Sequence, residues 1–344
     1  MAFWLDIAAF ALKALLIVVA LAALAALVAL LARAARGARP DRSRLSVRSL
    51  DQRYEAMREA LEAETLEAKP RRALAKARAK DAKAARRARA AGGPAKCVYV
   101  LSFKGDLRAS AVRRLATEID ALLAVARPES DEVVLRVESG GGTVTGYGLA
   151  AAEILRLSAR KVKTTACVDQ VAASGGYLMA CAADRIVAAP FALVGSIGVV
   201  AQVPNLHRLL KKNDIDYEEM TAGEYKRSVS VLGEITPEGR EHFRGKLDAT
   251  HEAFKRFVKQ RRPALDIERI GDGDVWLGSE ALGLGLIDAV MTSDDLLFAA
   301  RESARLFEVA VEARKSPMQQ IVGGFGEAAR AALDAAARLA GAAG

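Results

Sequence analysis

The sequence predicts an α/β fold, a largely parallel and buried sheet behind an N-terminal single-pass transmembrane helix. Three observations predict it. From Cys97 onward, short apolar runs of strand length alternate with segments of helical periodicity, the rhythm of parallel strands joined by crossover helices. The strand-length runs are nearly continuous in Val, Ile, Leu and Ala, as strands buried on both faces are. Ahead of them, Ala14 to Leu31 gives 18 consecutive apolar residues without a charge.

Taken in order, the apolar run comes first. As a helix it is about 27 Å long, close to the hydrocarbon thickness of a bilayer. Arg33, Arg36, Arg39, Arg42 and Arg44 follow it as a stop-transfer flank, which argues for a retained anchor over a cleaved signal peptide with its shorter apolar core. Lys13 interrupts the upstream apolar stretch, where it can snorkel to an interface. The predicted organisation is an anchor over 1–33, a basic linker rich in Ala, Lys and Arg over 34–94, a folded body over 95–312, and an Ala-rich helical tail over 313–344.

The charge supports this division. The chain carries a formal +9, but residues 33–96 hold 19 basic against 8 acidic residues, so the body is close to neutral. A basic linker beside an anchor suits anionic headgroups, and its tract from Arg71 to Ala91 has no aromatics for base stacking, which argues against nucleic acid. By the positive-inside rule the flank, and with it the body, lies in the cytoplasm.

In the body, Cys97–Phe103 reads as a strand, 109–125 as a helix, Glu132–Val137 as a strand, Gly146–Leu157 as a helix and Val162–Val168 as a strand. Ser174–Ala182 is a short helix and Arg185–Ala188 a strand. A further strand is expected from near Ile215 towards Lys226. Pro237–Arg262 reads as a long amphipathic helix, with Thr236 as N-cap and Pro237 at the first helical position.

Three cysteines in 344 residues exclude a disulfide scaffold, and Cys97, Cys167 and Cys181 read as buried small hydrophobes without metal-site spacing. No cofactor or metal is expected. Gly140, Gly142 and Gly146 nearly fit a dinucleotide loop, but the last interval is one residue too long, and no Walker-type phosphate loop is present.

Two features carry chemistry. Ala172-Ala173-Ser174-Gly175-Gly176 follows a strand and opens a helix, a small-residue turn that can expose a serine beside free backbone N–H groups. Ser139-Gly140-Gly141-Gly142 lies between a strand and a helix, where bare N–H groups can serve as an oxyanion hole or simply as a tight turn. A serine nucleophile needs a base. The three histidines, His207, His242 and His251, read as surface residues of amphipathic helices. A lysine whose neutral amine accepts the proton is the other option, and Lys226 stands in Thr221-Ala222-Gly223-Glu224-Tyr225-Lys226.

Five stretches, in order, resemble the signal peptide peptidase A family of membrane serine peptidases, most closely its SohB-like branch. They are Ser102-Phe103-Lys104-Gly105-Asp106, Val137-Glu138-Ser139-Gly140-Gly141-Gly142, Val168 to Tyr177, Val194-Gly195-Ser196-Ile197-Gly198-Val199-Val200, and Thr221 to Arg227. The resemblance spans roughly 97–295. It implies a ClpP/crotonase-like domain of ββα units and a Ser-Lys peptidase domain over 95–312. Ser174 would be the nucleophile and Lys226 the general base. Gly175 would donate one oxyanion N–H, and Gly141 or Gly142 the other. Gly140 stands where the family commonly has proline, which would fix φ ahead of the glycines. The resemblance further implies peptide or membrane-protein substrates, such as signal-peptide remnants, a homo-oligomer, and a bacterial-type inner-membrane location. Family habit puts the body outside the cytoplasm, against the charge rule. The alternative is a proteolytically silent membrane scaffold that binds partners or anionic lipid.

Overall fold

The computed structural model describes residues 44–91, 95–223 and 225–312. The anchor expected over 1–33 and the helical tail expected over 313–344 lie outside the described residues. Among those described, no helix is long and apolar enough to cross a membrane.

The domain is built on a seven-stranded sheet. Its strands are β1 (Arg44–Ser49), β2 (Cys97–Lys104), β3 (Glu132–Glu138), β4 (Lys163–Val168), β6 (Arg185–Ala188), β9 (Ala289–Val290) and β10 (Arg305–Glu312), in the order β1-β10-β2-β3-β4-β6-β9. Every pairing from β10 to β9 is parallel. Crossover helices make this possible: α3 (Val112–Val125) joins β2 to β3, and α4 (Val144–Ala159) joins β3 to β4. A smaller sheet of β5 (Val171–Ala173), β7 (Leu193–Gly195) and β8 (Val275–Leu277) stands beside it, with β5 parallel and β8 antiparallel to β7.

Side-chain alternation divides the core in two. Leu101, Phe103, Val133, Leu135, Val137, Ala166 and Val168 face one way. They pack under Leu115, Ile119 and Leu122 of α3, Ile154 and Leu157 of α4, and the small apolar residues of α5 (Gly175–Ala182). Val98, Val100, Val134, Cys167 and Val187 face the other way, against Leu50, Leu297 and Leu306. Each fully buried Leu or Ile contributes about 2 kcal/mol by leaving water. With both faces covered, burial pushes the Cys167 and Cys181 thiols up to about 12.

Two regions differ from the sequence reading. Within the stretch assigned to a linker, β1 forms the outer edge of the sheet, and α1 (Leu50–Thr65) follows it. Leu50 is buried, and the Asp51 carboxylate accepts the Leu306 N–H at 3.1 Å, so this stretch belongs to the fold. Farther along, α2 (Ala68–Ala91) is helical, as its Ala, Lys and Arg content favours. The strand expected from Ile215 does not form among the described residues: 215–220 are irregular, and Ile215, Tyr217 and Met220 are exposed. By contrast α7 (Pro237–Arg261) starts as expected, with Thr236 Oγ1 accepting the Gly239 N–H at 3.0 Å; it follows the short α6 (His207–Lys212). Three short helices complete the domain: α8 (Ile267–Ile270), α9 (Gly278–Ala281) and α10 (Ser293–Ala300).

The start of β2 is tied to the approach to β3 by Asp131, which is 1% exposed. Its carboxylate accepts the backbone N–H of Cys97 and of Arg127, both at 2.9 Å, and the Arg127 guanidinium. Burial disfavours this charge, but the bonds from Arg127 and Cys97 outweigh it and hold the carboxyl below the usual aspartate range. A lowered carboxyl stabilises the fold above its unfolded-state pKa, and that contribution is lost as pH falls through the folded-state value. Asp131→Ala is expected to lower stability at pH 7 by about 3 kcal/mol. In urea unfolding, the difference from wild type should shrink as pH drops below about 4.

Candidate active site

The site is assembled where the two sheets meet. Ser139, at the end of β3, forms a parallel bridge with Ala172 of β5. The Ser139 N–H donates to the Val171 carbonyl at 2.9 Å, and the Ala173 N–H to the Ser139 carbonyl at 3.0 Å. This register sets the glycine loop after Ser139 beside the turn after Ala173.

Ser174 sits in that turn at the N-cap of α5, with φ 51° and ψ −120°. A non-glycine residue there is strained, by about 1–3 kcal/mol, and persists only where its surroundings hold it. The restraints are visible. The Ser174 N–H donates to the Gly195 carbonyl at 2.8 Å, and the Ser174 carbonyl accepts the Leu178 N–H at 2.9 Å. Gly195 itself has φ +107° and lies against Trp276, where a Cβ would strike the indole. The turn thus presents a half-buried serine at the start of a helix, next to the Gly175 N–H.

The glycine loop closes over this turn. Gly141 has φ +91°, and a Cβ there would lie 2.8 Å from both the Gly175 nitrogen and the Ser174 Cβ. Its own N–H donates to Ser139 Oγ at 3.1 Å. Gly142 packs against the Leu107 carbonyl. Among the described residues, neither the Gly142 nor the Gly175 N–H finds an acceptor. The structure therefore places Gly141 against Ser174 and Gly175, with Gly142 next in the loop beside Leu107.

It does not bring Lys226 to them. Lys226 lies in an exposed turn of the segment between β7 and α7, its N–H bonded to the Gly223 carbonyl at 3.1 Å. Among the described residues its ammonium makes no hydrogen bond or ion pair. The aromatic ring before it, Tyr225, stacks on His242 of α7 with centroids 3.9 Å apart. The histidines are half-buried rather than on the surface, and none bonds to Ser174: His251 Nε2 pairs with the Ile197 carbonyl, and His207 faces Glu234. Asp169, where a ribose-binding acid would stand, instead accepts the Ser293 N–H and O–H at 2.7 and 2.6 Å. Among the described residues no cluster of side chains is suited to a metal ion.

Two side chains to which the sequence assigns no role, Tyr147 and Ser139 of the glycine-loop motif, line this turn. Tyr147 packs behind Gly175, and Ser139 Oγ lies 2.6 Å from the Tyr147 hydroxyl. Tyr147 falls on the apolar face of α4, and that position alone signals only core.

Two profiles of one family match this sequence. Residues 156–306 match peptidase family S49, and residues 2–154 match the peptidase family S49 N-terminal region. The probable protease SohB of Haemophilus influenzae is 54% identical over 220 residues, covering 64% of this chain and 62% of that protein. The probable protease SohB of Buchnera aphidicola subsp. Acyrthosiphon pisum is 48% identical over 225 residues, 65% of this chain and 67% of that one. The chloroplastic serine protease SPPA of Arabidopsis thaliana is 33% identical over 176 residues, 50% of this chain and 26% of its own length. The chain thus spans a little under two thirds of the first of these relatives.

The strain at Ser174 is testable without an activity assay. Glycine relieves a φ of 51° and alanine does not, so Ser174→Gly is expected to be more stable than Ser174→Ala by about 1 kcal/mol in thermal melts.

Proposed function

The chain belongs to peptidase family S49, in its SohB-like branch, and on that footing we propose that it is a membrane-anchored serine endopeptidase using a Ser-Lys dyad. The observation that carries the reading is the strained Ser174 turn at a helix N-terminus, with the Gly140–Gly142 loop held against it. Peptide hydrolysis needs a nucleophile at the carbonyl carbon and N–H donors where the oxygen becomes negative, and this turn offers both.

In the proposed reaction Ser174 Oγ attacks the substrate carbonyl. The neutral Lys226 amine takes the serine proton and delivers it to the leaving amine. The Gly175 N–H and a loop N–H carry the oxyanion, and water then releases the acyl group. In the single chain Lys226 is exposed and apart from Ser174. Its segment also exposes Val200, 81% accessible, and Met220, 90% accessible, with Leu209 and Ile215. Apolar exposure on this scale favours burial against another copy. We therefore read the dyad as completed in a homo-oligomer, each copy lending its lysine to a neighbour's serine. Substrates are proposed to be peptides or membrane-associated polypeptides. The anchor over 1–33 rests on the 18 apolar residues and their basic flank.

Ser174→Ala and Lys226→Ala are each expected to lower peptide hydrolysis by about a thousandfold or more, as removal of a nucleophile or its base does. Equal rates in all three proteins would sink the reading, and no hydrolysis by any of them would favour the silent scaffold. Mixing the two inactive variants tests the shared site. Co-assembly should restore a measurable fraction of the wild-type rate, and persistent inactivity in confirmed mixed oligomers would place both groups on one chain.

A further inference from the structure

We propose that Ser139 and Tyr147 are positioning residues for the oxyanion hole. They hold the Gly140–Gly142 loop through a directed hydrogen-bond relay and leave the Gly142 N–H as the loop's donor. This rests on the reading that Ser174 attacks a carbonyl.

The direction of the relay follows from counting protons. Tyr147 is 1% exposed, and its single hydroxyl proton goes to the Asp106 carbonyl at 2.8 Å. Its oxygen can then only accept from Ser139, so the Ser139 O–H donates across the 2.6 Å contact. Ser139 Oγ has only lone pairs left to offer, and the Gly141 N–H donates to one of them at 3.1 Å. The chain runs from the Gly141 N–H through Ser139 and Tyr147 to the Asp106 carbonyl. Gly141 is thereby committed inward, while Gly142 and Gly175 keep unused N–H groups among the described residues.

The surrounding backbone is cleared for this relay. A Cβ on Gly105 would collide with both Ser139 Oγ and the Tyr147 hydroxyl. A Cβ on Gly175 would reach to 2.7 Å from the Tyr147 Cβ. One tyrosine therefore touches both halves of the hole: its ring braces Gly175, and its hydroxyl fixes the glycine loop. Packing alone does not need the hydroxyl, since the edge-on contact of the ring with Phe103, centroids 6.2 Å apart, would survive in phenylalanine. Three consecutive glycines have little intrinsic stiffness, so the relay supplies the restraint that the backbone lacks.

A covalent restraint should substitute for it. Position 140 is the place for it: a Cβ there meets nothing within 4 Å, its φ is not positive, its N–H has no acceptor among the described residues, and Ser139 before it is extended.

The experiment compares full-length wild type, Tyr147→Phe and Ser139→Ala, each variant alone and combined with Gly140→Pro. Peptide hydrolysis, thermal melting and hydrogen exchange over residues 139–147 are measured. For Tyr147→Phe, faster exchange in the loop is expected, with kcat about tenfold lower at unchanged KM, the worth of one buried hydrogen bond. Gly140→Pro should restore both readouts. Tyr147→Phe preserves core volume, so it remains informative if Ser139→Ala folds poorly. Unchanged exchange in Tyr147→Phe overturns the relay. Faster exchange with wild-type kcat, or a loss of kcat that Gly140→Pro leaves uncorrected at wild-type melting temperature, overturns the positioning role. Failure of the underlying reading looks different: Ser174→Ala would retain hydrolysis, while the exchange measurement would still report on the relay.

Discussion

The site depends on one register, the parallel alignment of Val171–Ala173 between Ser139 on one side and Leu193–Gly195 on the other. Three backbone bonds at 2.8–3.0 Å set it: Ser139 to Val171, Ala173 back to Ser139, and Ser174 to Gly195. A shift of one residue would turn every side chain of this short strand to its opposite face. It would also separate the glycine loop from the serine turn. The strain at Ser174 is tolerable because this register over-determines it, with the large core of the seven-stranded sheet holding the strand ends in place.

Much of this was legible beforehand. The strand-helix rhythm from Cys97 to Ala188 is strong because the strands are buried on both faces and read as unbroken apolar runs. Ser174 and the glycine loop stood out as small-residue turns between a strand and a helix, and only their order among the family-like stretches favoured a site over an N-cap and a tight turn. The failures have physical causes too. β1 sets four charged or polar residues against two apolar ones; its alternation lasts only five residues inside a basic stretch, and at the sheet's edge Leu45 and Val47 stay exposed, so little marks it. The small sheet is built from strands of three residues, too short for alternation to register. At Ile215 an apolar residue suggested a strand, but the segment leaves it in solvent without a pairing edge.

The scarcity of histidine and the placement of lysine are linked. None of the three histidines bonds to Ser174 within one copy; His251 Nε2 pairs with the Ile197 carbonyl and His207 faces Glu234. Lysine has a long, flexible stem and is well solvated at a surface until something covers it. The exposed Lys226 suits the proposed assembly, in which a neighbouring copy rather than this chain's own core would cover the lysine. The relay through Ser139 and Tyr147 follows the opposite logic. It is buried, rigid and complete within a single copy.

The edge position of β1 has a mechanical side. The chain enters the sheet at Arg44, at the far end of the order from β9, and β10 and β2 lie between that entry and β3. Tension applied to the chain ahead of residue 44 would first act along the β1–β10 hydrogen bonds, and it would cross two further strand interfaces before reaching Ser139. With residues 1–33 as the proposed anchor, a pull from that side would be taken up by the outer strands before it reached the Ser174 turn.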